Sequence, residues 1–168
     1  MRKNMLRIKS AVFVLWHAKH MLIHILLGLM WAWALREFWM ELNPQWIGFA
    51  VVGSLLPDVD HIIYFLTYGR NDDYTKHIRK LLGKHEWKSL VSYMESGHKH
   101  NTRLTFHNIY TVAALIFLCG VSLGYNWKIG VVVSGSMISH FLFDIVEDIL
   151  VLGHINPNWH RFGRPASI

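Results

Sequence analysis

Four long apolar segments constrain what this chain can fold into more than any other feature. They cover about residues 10–35, 45–68, 107–124 and 129–152. A helix of about 20 residues, rising 1.5 Å per residue, crosses the hydrocarbon core of a bilayer. The 168 residues are 52% hydrophobic and only 17% charged, whereas about a quarter of the residues in soluble domains are charged. The sequence therefore predicts an all-α integral membrane bundle of about four transmembrane helices, in one domain over residues 1–168.

The basic residues predict how this bundle is oriented. Residues 1–9 contain four Lys or Arg, residues 69–105 contain eight of the seventeen, and residues 153–168 contain two. The other two connections contain only Arg36 and Lys128. Because cytoplasmic loops are enriched in Lys and Arg, we expect a multi-pass protein with both termini in the cytoplasm. The positive charge thus indicates topology and contact with lipid headgroups, and no nucleic-acid partner is expected.

The long basic connection, residues 69–105, has its own predicted structure. Apolar residues recur in it at helical spacing, for example Ile78, Leu81 and Leu82, between the many Lys and Arg. Basic amphipathic helices commonly lie in the plane of the membrane interface. We therefore expect an amphipathic helical loop on the cytoplasmic membrane surface, and an irregular tail over residues 153–168.

A short polar stretch interrupts the second apolar segment. The sequence Leu56-Pro57-Asp58-Val59-Asp60-His61 places two acids and an imidazole between apolar runs. Pro57 cannot continue a regular helix, because it lacks a backbone N–H. Carboxylates in an apolar setting are costly unless they are paired or bind a metal. The helix is therefore expected to break at Pro57 and to form one wall of a metal site there.

Other segments offer groups that could complete such a site. His17, His20 and His24 share one helical face, and His140 and Asp144 are four residues apart on another. A lone buried His is more often a packed core residue than a ligand, but four His and three Asp at bilayer depth are difficult to explain by packing. The predicted metal ligands are His24, Asp58, Asp60, His61, His107, His140 and Asp144.

The ligand types predict the metal and the chemistry. Nitrogen and oxygen ligands without thiolates suit Zn or Mn, and the single Cys119 excludes a cysteine-rich zinc site. One or two divalent ions there could activate water for attack on a phosphoester, such as that of a lipid headgroup. Asp60 is the expected general base. Arg103 either clamps a phosphate oxygen or only sets topology, and His20 and Glu147 are expected to orient the ligands.

Several of these pieces together resemble a known family. His24 with Gly28, Leu-Pro-Asp-x-Asp-His at 56–61, Arg103 with His107, and Ser-His-x-x-x-Asp at 139–144 occur in one order. This set resembles the inner-membrane-bound, metal-dependent hydrolases, to which the LexA-binding inner-membrane hydrolases belong. The resemblance covers about residues 20–152. It implies a metal site, hydrolase activity and location in the inner membrane.

One part of the chain departs from that family's pattern. The family's central motif usually reads His-Arg-Gly-x-Thr-His-Ser, where this chain has Thr102, Leu104, Phe106 and Asn108 at the first, third, fifth and last positions. The central motif therefore supports His107 more firmly than its neighbours.

Two other classes of function stay open at this point. His24 and His140 could bind haem from facing helices, as in a four-helix cytochrome, or the polar residues could carry metal ions or protons. Haem binding would leave the burial of Asp58, Asp60 and Asp144 unexplained. A scaffold without any site is the remaining alternative, and it leaves the same question unanswered.

Overall fold

The computed structural model describes the backbone of residues 2–41, 43–98 and 104–160, and the side chains of residues 19–41, 43–94 and 104–160. Within these ranges every regular element is helical. The α-helices are α1 (Arg2–Trp39), α2 (Pro44–Leu55), α3 (Val59–Leu66), α4 (Asp73–Gly83), α5 (Trp87–His98), α6 (Ile109–Gly124) and α7 (Lys128–Leu152). Short 3₁₀ turns cover Leu56–Asp58 and Pro157–His160. The predicted all-α fold is confirmed, and α1 extends beyond its predicted bounds at both ends.

Among the described residues, three helical stretches are long and apolar enough to cross a membrane. They are Lys19–Trp39, Pro44–Leu66 and Lys128–Leu152, judged by length and composition. Helix α6 is apolar, but it has only 16 residues, or about 24 Å at 1.5 Å per residue. The structure thus supports a membrane protein with three candidate spans, and the fourth predicted span stays a prediction.

Helix α7 lies at the centre of the bundle, in contact with α1, α2 and α6. Small residues let the helices approach closely. A Cβ added at Gly28 on α1 would lie 2.6 Å from the carbonyl oxygen of Ala50 on α2, and one at Gly53 would lie 3.0 Å from that of Val133 on α7. The indole of Trp31 fills the space beside Gly135 on α7. These close approaches bring the polar parts of α1, α2 and α7 together.

The second apolar segment breaks where the sequence predicts. Helix α2 ends at Leu55, the Leu56–Asp58 turn follows, and α3 begins at Val59. The turn changes the direction in which the following side chains point. Asp60 is buried, with 2% of its surface exposed, whereas the side chain of Asp58 is 28% exposed.

An aromatic and charged cluster marks one end of the bundle. Lys128, at the start of α7, pairs with Glu41 and lies 5.4 and 5.3 Å from the ring centres of Trp39 and Trp46. Asp144 is sixteen residues further along α7, about 24 Å from this end. The polar residues of the candidate site therefore lie toward the opposite end of the helices.

The basic connection forms a small core of its own. Tyr74, Ile78 and Leu81 of α4 pack with Leu90 of α5 and with Tyr64 of α3. The Lys and Arg side chains of α4 are exposed on its other side. This connection thus contains two helices, α4 and α5, and α5 also contacts α1. Its predicted position on the membrane surface stays a prediction.

The tail contains one 3₁₀ turn where the sequence predicts irregular structure, and its residues 161–168 lie outside the described ranges. Its Pro157–His160 turn buries Asn158 and Trp159. The physical reason is a buried hydrogen bond of 2.7 Å, in which the Trp159 indole N–H donates to Asp148 on α7.

Candidate metal centre

Six polar side chains converge between α1, the Pro57 turn, the start of α6 and α7. They form three groups in which one ligand atom from each residue lies within 4.8 Å of the others. The groups are His20 with His24 and Asp58, His24 with His140 and Asp144, and Asp58 with His107 and His140. Five of the seven ligands predicted from sequence are in this cluster, and His20, predicted only to orient them, joins it.

His140 is held rigidly at the centre of the cluster. Its ring is completely buried, and its Nδ1 lies 2.6 Å from the backbone carbonyl oxygen of Ser54. Since a carbonyl only accepts, Nδ1 carries the proton, and in the neutral ring Nε2 presents a lone pair. That Nε2 lies 3.1 Å from Asp144 Oδ2 and 3.8 Å from Asp58 Oδ1. It makes no hydrogen bond.

His107 is oriented in the same way by a carboxylate. Its Nδ1 lies 3.3 Å from Asp60 Oδ2, so Nδ1–H donates and Nε2 is left as an acceptor. Nε2 is buried without a hydrogen bond and lies 3.6 Å from Asp144 Oδ2. A carboxylate behind a histidine that turns its other nitrogen toward a metal is a common arrangement in metal sites.

Asp60 lies behind His107. Besides His107, it accepts hydrogen bonds from the Phe106 backbone N–H at 2.7 Å and the Tyr68 hydroxyl at 3.0 Å. Burial raises the pKa of the Tyr68 hydroxyl, so this hydroxyl stays protonated at neutral pH and can donate. The Tyr68 oxygen in turn accepts from the Thr105 N–H at 3.1 Å. This network fixes the chain that carries His107.

His24 completes the cluster from α1. Its ring stacks on His140 with centroids 3.7 Å apart. Its Nε2 lies 2.9 Å from His20 Nε2 and 3.6 Å from Asp144 Oδ1, and its Nδ1 is buried without a partner. Gly28, one turn further along α1, permits the close approach of α2 that brings Asp58 near His24.

The arrangement of imidazole nitrogens and carboxylate oxygens in this cluster is suitable for binding a cation. The Nε2 atoms of His107 and His140, which are acceptors when these rings are neutral, turn toward the carboxylate of Asp144. Lone pairs that face one another in a buried site repel unless a proton or a metal ion lies between them. The three unsatisfied buried nitrogens, His24 Nδ1, His107 Nε2 and His140 Nε2, are otherwise unexplained.

The remaining predicted residues either lie around the cluster or fall outside the residues that the structure describes. His61 packs against His107 with ring centroids 5.1 Å apart, but it belongs to none of the three groups. Glu147 lines the adjoining pocket. Arg103 lies outside the described residues, so its predicted phosphate contact stays a prediction.

A small pocket opens onto the cluster beside the tail, with a cavity volume of about 40 Å³. It is lined by His20, His61, Leu104, His107, Asp144, Glu147, Asp148, Asn156, Asn158 and Trp159. Sequence reasoning missed Tyr68 and the tail residues, because they are distant in sequence from every motif. The only signal was the excess of polar residues in a tail that also contains a Trp.

Comparison with known proteins identifies the family. Residues 20–151 match the YdjM inner membrane protein family. The chain belongs to this family. The match includes every residue of the cluster and excludes the tail that borders the pocket. It supports location in a membrane, and the metal and the hydrolase activity stay predictions. No curated protein and no solved structure matches the chain.

Proposed function

We propose that this YdjM family protein is a membrane-bound, metal-dependent hydrolase that cleaves phosphoesters, including those of lipid headgroups. It would cross the inner membrane four times, with α6 as the third span and both termini in the cytoplasm. The basic helices α4 and α5 would lie at the cytoplasmic interface, and membrane lipid would be a partner as well as a source of substrate.

One observation carries this proposal: acceptor atoms from four segments of the chain, most of them buried, face one another. His24, His107 and His140 would hold one or two divalent ions together with Asp58 and Asp144, and zinc or manganese suits these donors best. A bound ion of this kind supplies an acidified water and stabilises negative charge on a phosphoryl group.

The protein's own residues would share the remaining work. Asp60 accepts three hydrogen bonds, which favours a role in positioning His107 over the general-base role predicted from sequence. Asp58 is the more exposed of the two cluster carboxylates and is better placed to take a proton from water. His61 is half-buried in the pocket beside His107, where it could protonate the leaving oxygen.

The position of the pocket fits a substrate that enters from the membrane interface. Asp144 is eight residues before the end of α7, or about 12 Å along the helix. The tail and the chain before α6 border the pocket on this side. On the other side, the cluster of Ala32, Trp46 and Val132 fills the bundle with apolar side chains. A headgroup phosphoester could thus reach the cluster from one side only.

The same features disfavour the alternatives. Two axial haem ligands point at each other across the iron, whereas His24 and His140 are stacked face to face, 3.7 Å apart and within 20° of parallel. A metal or proton carrier needs access from both sides of the membrane, and the apolar cluster lies between the polar site and the far end.

The test is metal content measured together with hydrolysis. The detergent-purified protein, loaded with zinc or manganese, should retain at least about one ion per chain and cleave p-nitrophenyl phosphate or its diester. His140→Ala and Asp58→Ala should lose both properties. His154→Ala, which changes an exposed histidine outside the cluster, is the matched control. Metal retention that is unaffected by both cluster substitutions would contradict the proposal.

A further inference from the structure

The pocket has two kinds of wall. His20, His107 and Asp144 face it from the cluster, and all three lie within the part of the chain that matches the family. Asn156, Asn158 and Trp159 face it from the tail, beyond the matched residues. The centre that would do chemistry is thus shared with the family, whereas this wall belongs to the part of the chain outside the match.

The tail wall is fastened to the protein at two points. The Asn158 side-chain amide donates to the backbone carbonyl of His107 at 2.9 Å and to that of Leu104 at 3.4 Å. The Trp159 indole donates to Asp148. Both tail side chains are nearly completely buried, 6% and 4% exposed. The wall is therefore a fixed part of the pocket.

Trp159 packs against Phe141, which in turn contacts two histidines of the cluster. Its ring meets the edge of Phe141 at a centroid distance of 5.9 Å, and Phe141 contacts both His107, at 5.1 Å, and His140, at 5.6 Å. The indole itself is 6.3 Å from the His107 ring. A group bound beside His107 would thus meet Trp159 as its nearest large side chain from the tail.

We propose that residues 153–160 form the substrate-selecting wall of the pocket, with Trp159 limiting the size of the group that lies next to the phosphoryl group. The inference rests on the proposed function, since it takes the pocket as the place where the phosphoester binds. A fixed, bulky wall discriminates by steric exclusion, as specificity pockets do in other enzymes. The ligand class is a phosphoester or phosphonate with a small substituent.

The experiment compares two non-hydrolysable probes, methylphosphonate and 1-naphthylmethylphosphonate, by calorimetry on the zinc-loaded full chain in detergent. In Trp159→Ala, the affinity ratio should shift toward the naphthyl probe by about tenfold or more. Trp159→Phe keeps a ring and should shift it less, in the same direction; it carries the test if the alanine variant does not fold. Trp87→Ala, a half-buried tryptophan in the α4–α5 core, should leave the ratio unchanged. Zinc content is measured in every sample.

The outcomes separate this inference from the proposed function. A wild-type affinity ratio in zinc-loaded Trp159→Ala, or no phosphonate binding to the wild-type protein, would overturn the selecting wall. A shifted ratio in a protein that hydrolyses no ester would support the wall and refute the hydrolase. Ester hydrolysis by the wild-type protein together with an unchanged affinity ratio in Trp159→Ala would support the hydrolase and refute the selecting wall.

Discussion

Asp60→Asn is the most informative single substitution, because one carboxylate supports His107 while lying outside the three ligand groups. Oδ2 accepts from the Phe106 N–H and from His107 Nδ1, and Oδ1 accepts from Tyr68. An amide has one acceptor oxygen, and its NH₂ group would face a donor on the other side. At least one of the three hydrogen bonds is therefore lost in either orientation of the amide.

The size of the effect follows from these contacts. A hydrogen bond to a charged group is worth about 1.5–3 kcal/mol, so the free energy of unfolding should fall by about that amount. Either orientation also removes the negative charge that raises the basicity of His107, and loss of such a carboxylate typically weakens metal affinity by about 10–100-fold, which corresponds to about 1.4–2.8 kcal/mol. Zinc affinity, measured by competition with a chelating dye in detergent, should fall accordingly in Asp60→Asn.

Asp72→Asn is the matched control. Asp72 also accepts a hydrogen bond from a tyrosine, Tyr64, at 3.0 Å, but it lies beyond the candidate spans and away from the cluster. This variant should lose some stability and keep the wild-type affinity for zinc. If Asp60→Asn also keeps that affinity while losing stability, Asp60 is only a structural residue and the reasoning about His107 is wrong.

Three further predictions concern packing, metal removal and proton transfer. Gly28→Ala should destabilise the folded protein by about 1–3 kcal/mol, because its Cβ would lie 2.6 Å from the Ala50 carbonyl oxygen; Gly48→Ala, with open space around it, should be neutral or stabilising in the same thermal unfolding assay. Chelation of zinc should lower the melting temperature, because an ion present at 100 times its dissociation constant stabilises the folded state by about 2.7 kcal/mol; an unchanged melting temperature would argue against a buried metal. His61→Gln should keep zinc but lose most ester hydrolysis, about 10²–10⁴-fold in rate; loss of zinc in this variant would return His61 to the ligands.

The helices and the convergence of the polar groups could be predicted from sequence because strong local constraints determine them. Hydrophobic length indicated the candidate spans, and the missing N–H of Pro57 indicated the break before α3. The cost of burying Asp58, Asp144 and His140 in an apolar bundle was sufficient reason to expect them to meet. None of these inferences required knowledge of which helices are neighbours.

The division of labour within the cluster could not be predicted, because it depends on neighbours that the sequence does not reveal. Asp60 and Asp58 are two residues apart, yet the turn at Pro57 directs one toward Tyr68 and His107 and the other toward His140. The burial of Trp159 likewise depends on two partners on α7, Asp148 and Phe141. Such pairings follow from the packed structure and leave no periodic pattern.

Anomalous diffraction from crystals of the zinc-loaded protein, collected on both sides of the zinc absorption edge, tests the central claim most directly. The claim is that a cation is what holds the buried acids and imidazoles together. We expect an anomalous peak beside His140, together with either His24 and Asp144 or Asp58 and His107. The claim would be contradicted by a map that shows zinc only at exposed histidines, with Asp144 hydrogen-bonded directly to a protonated His140.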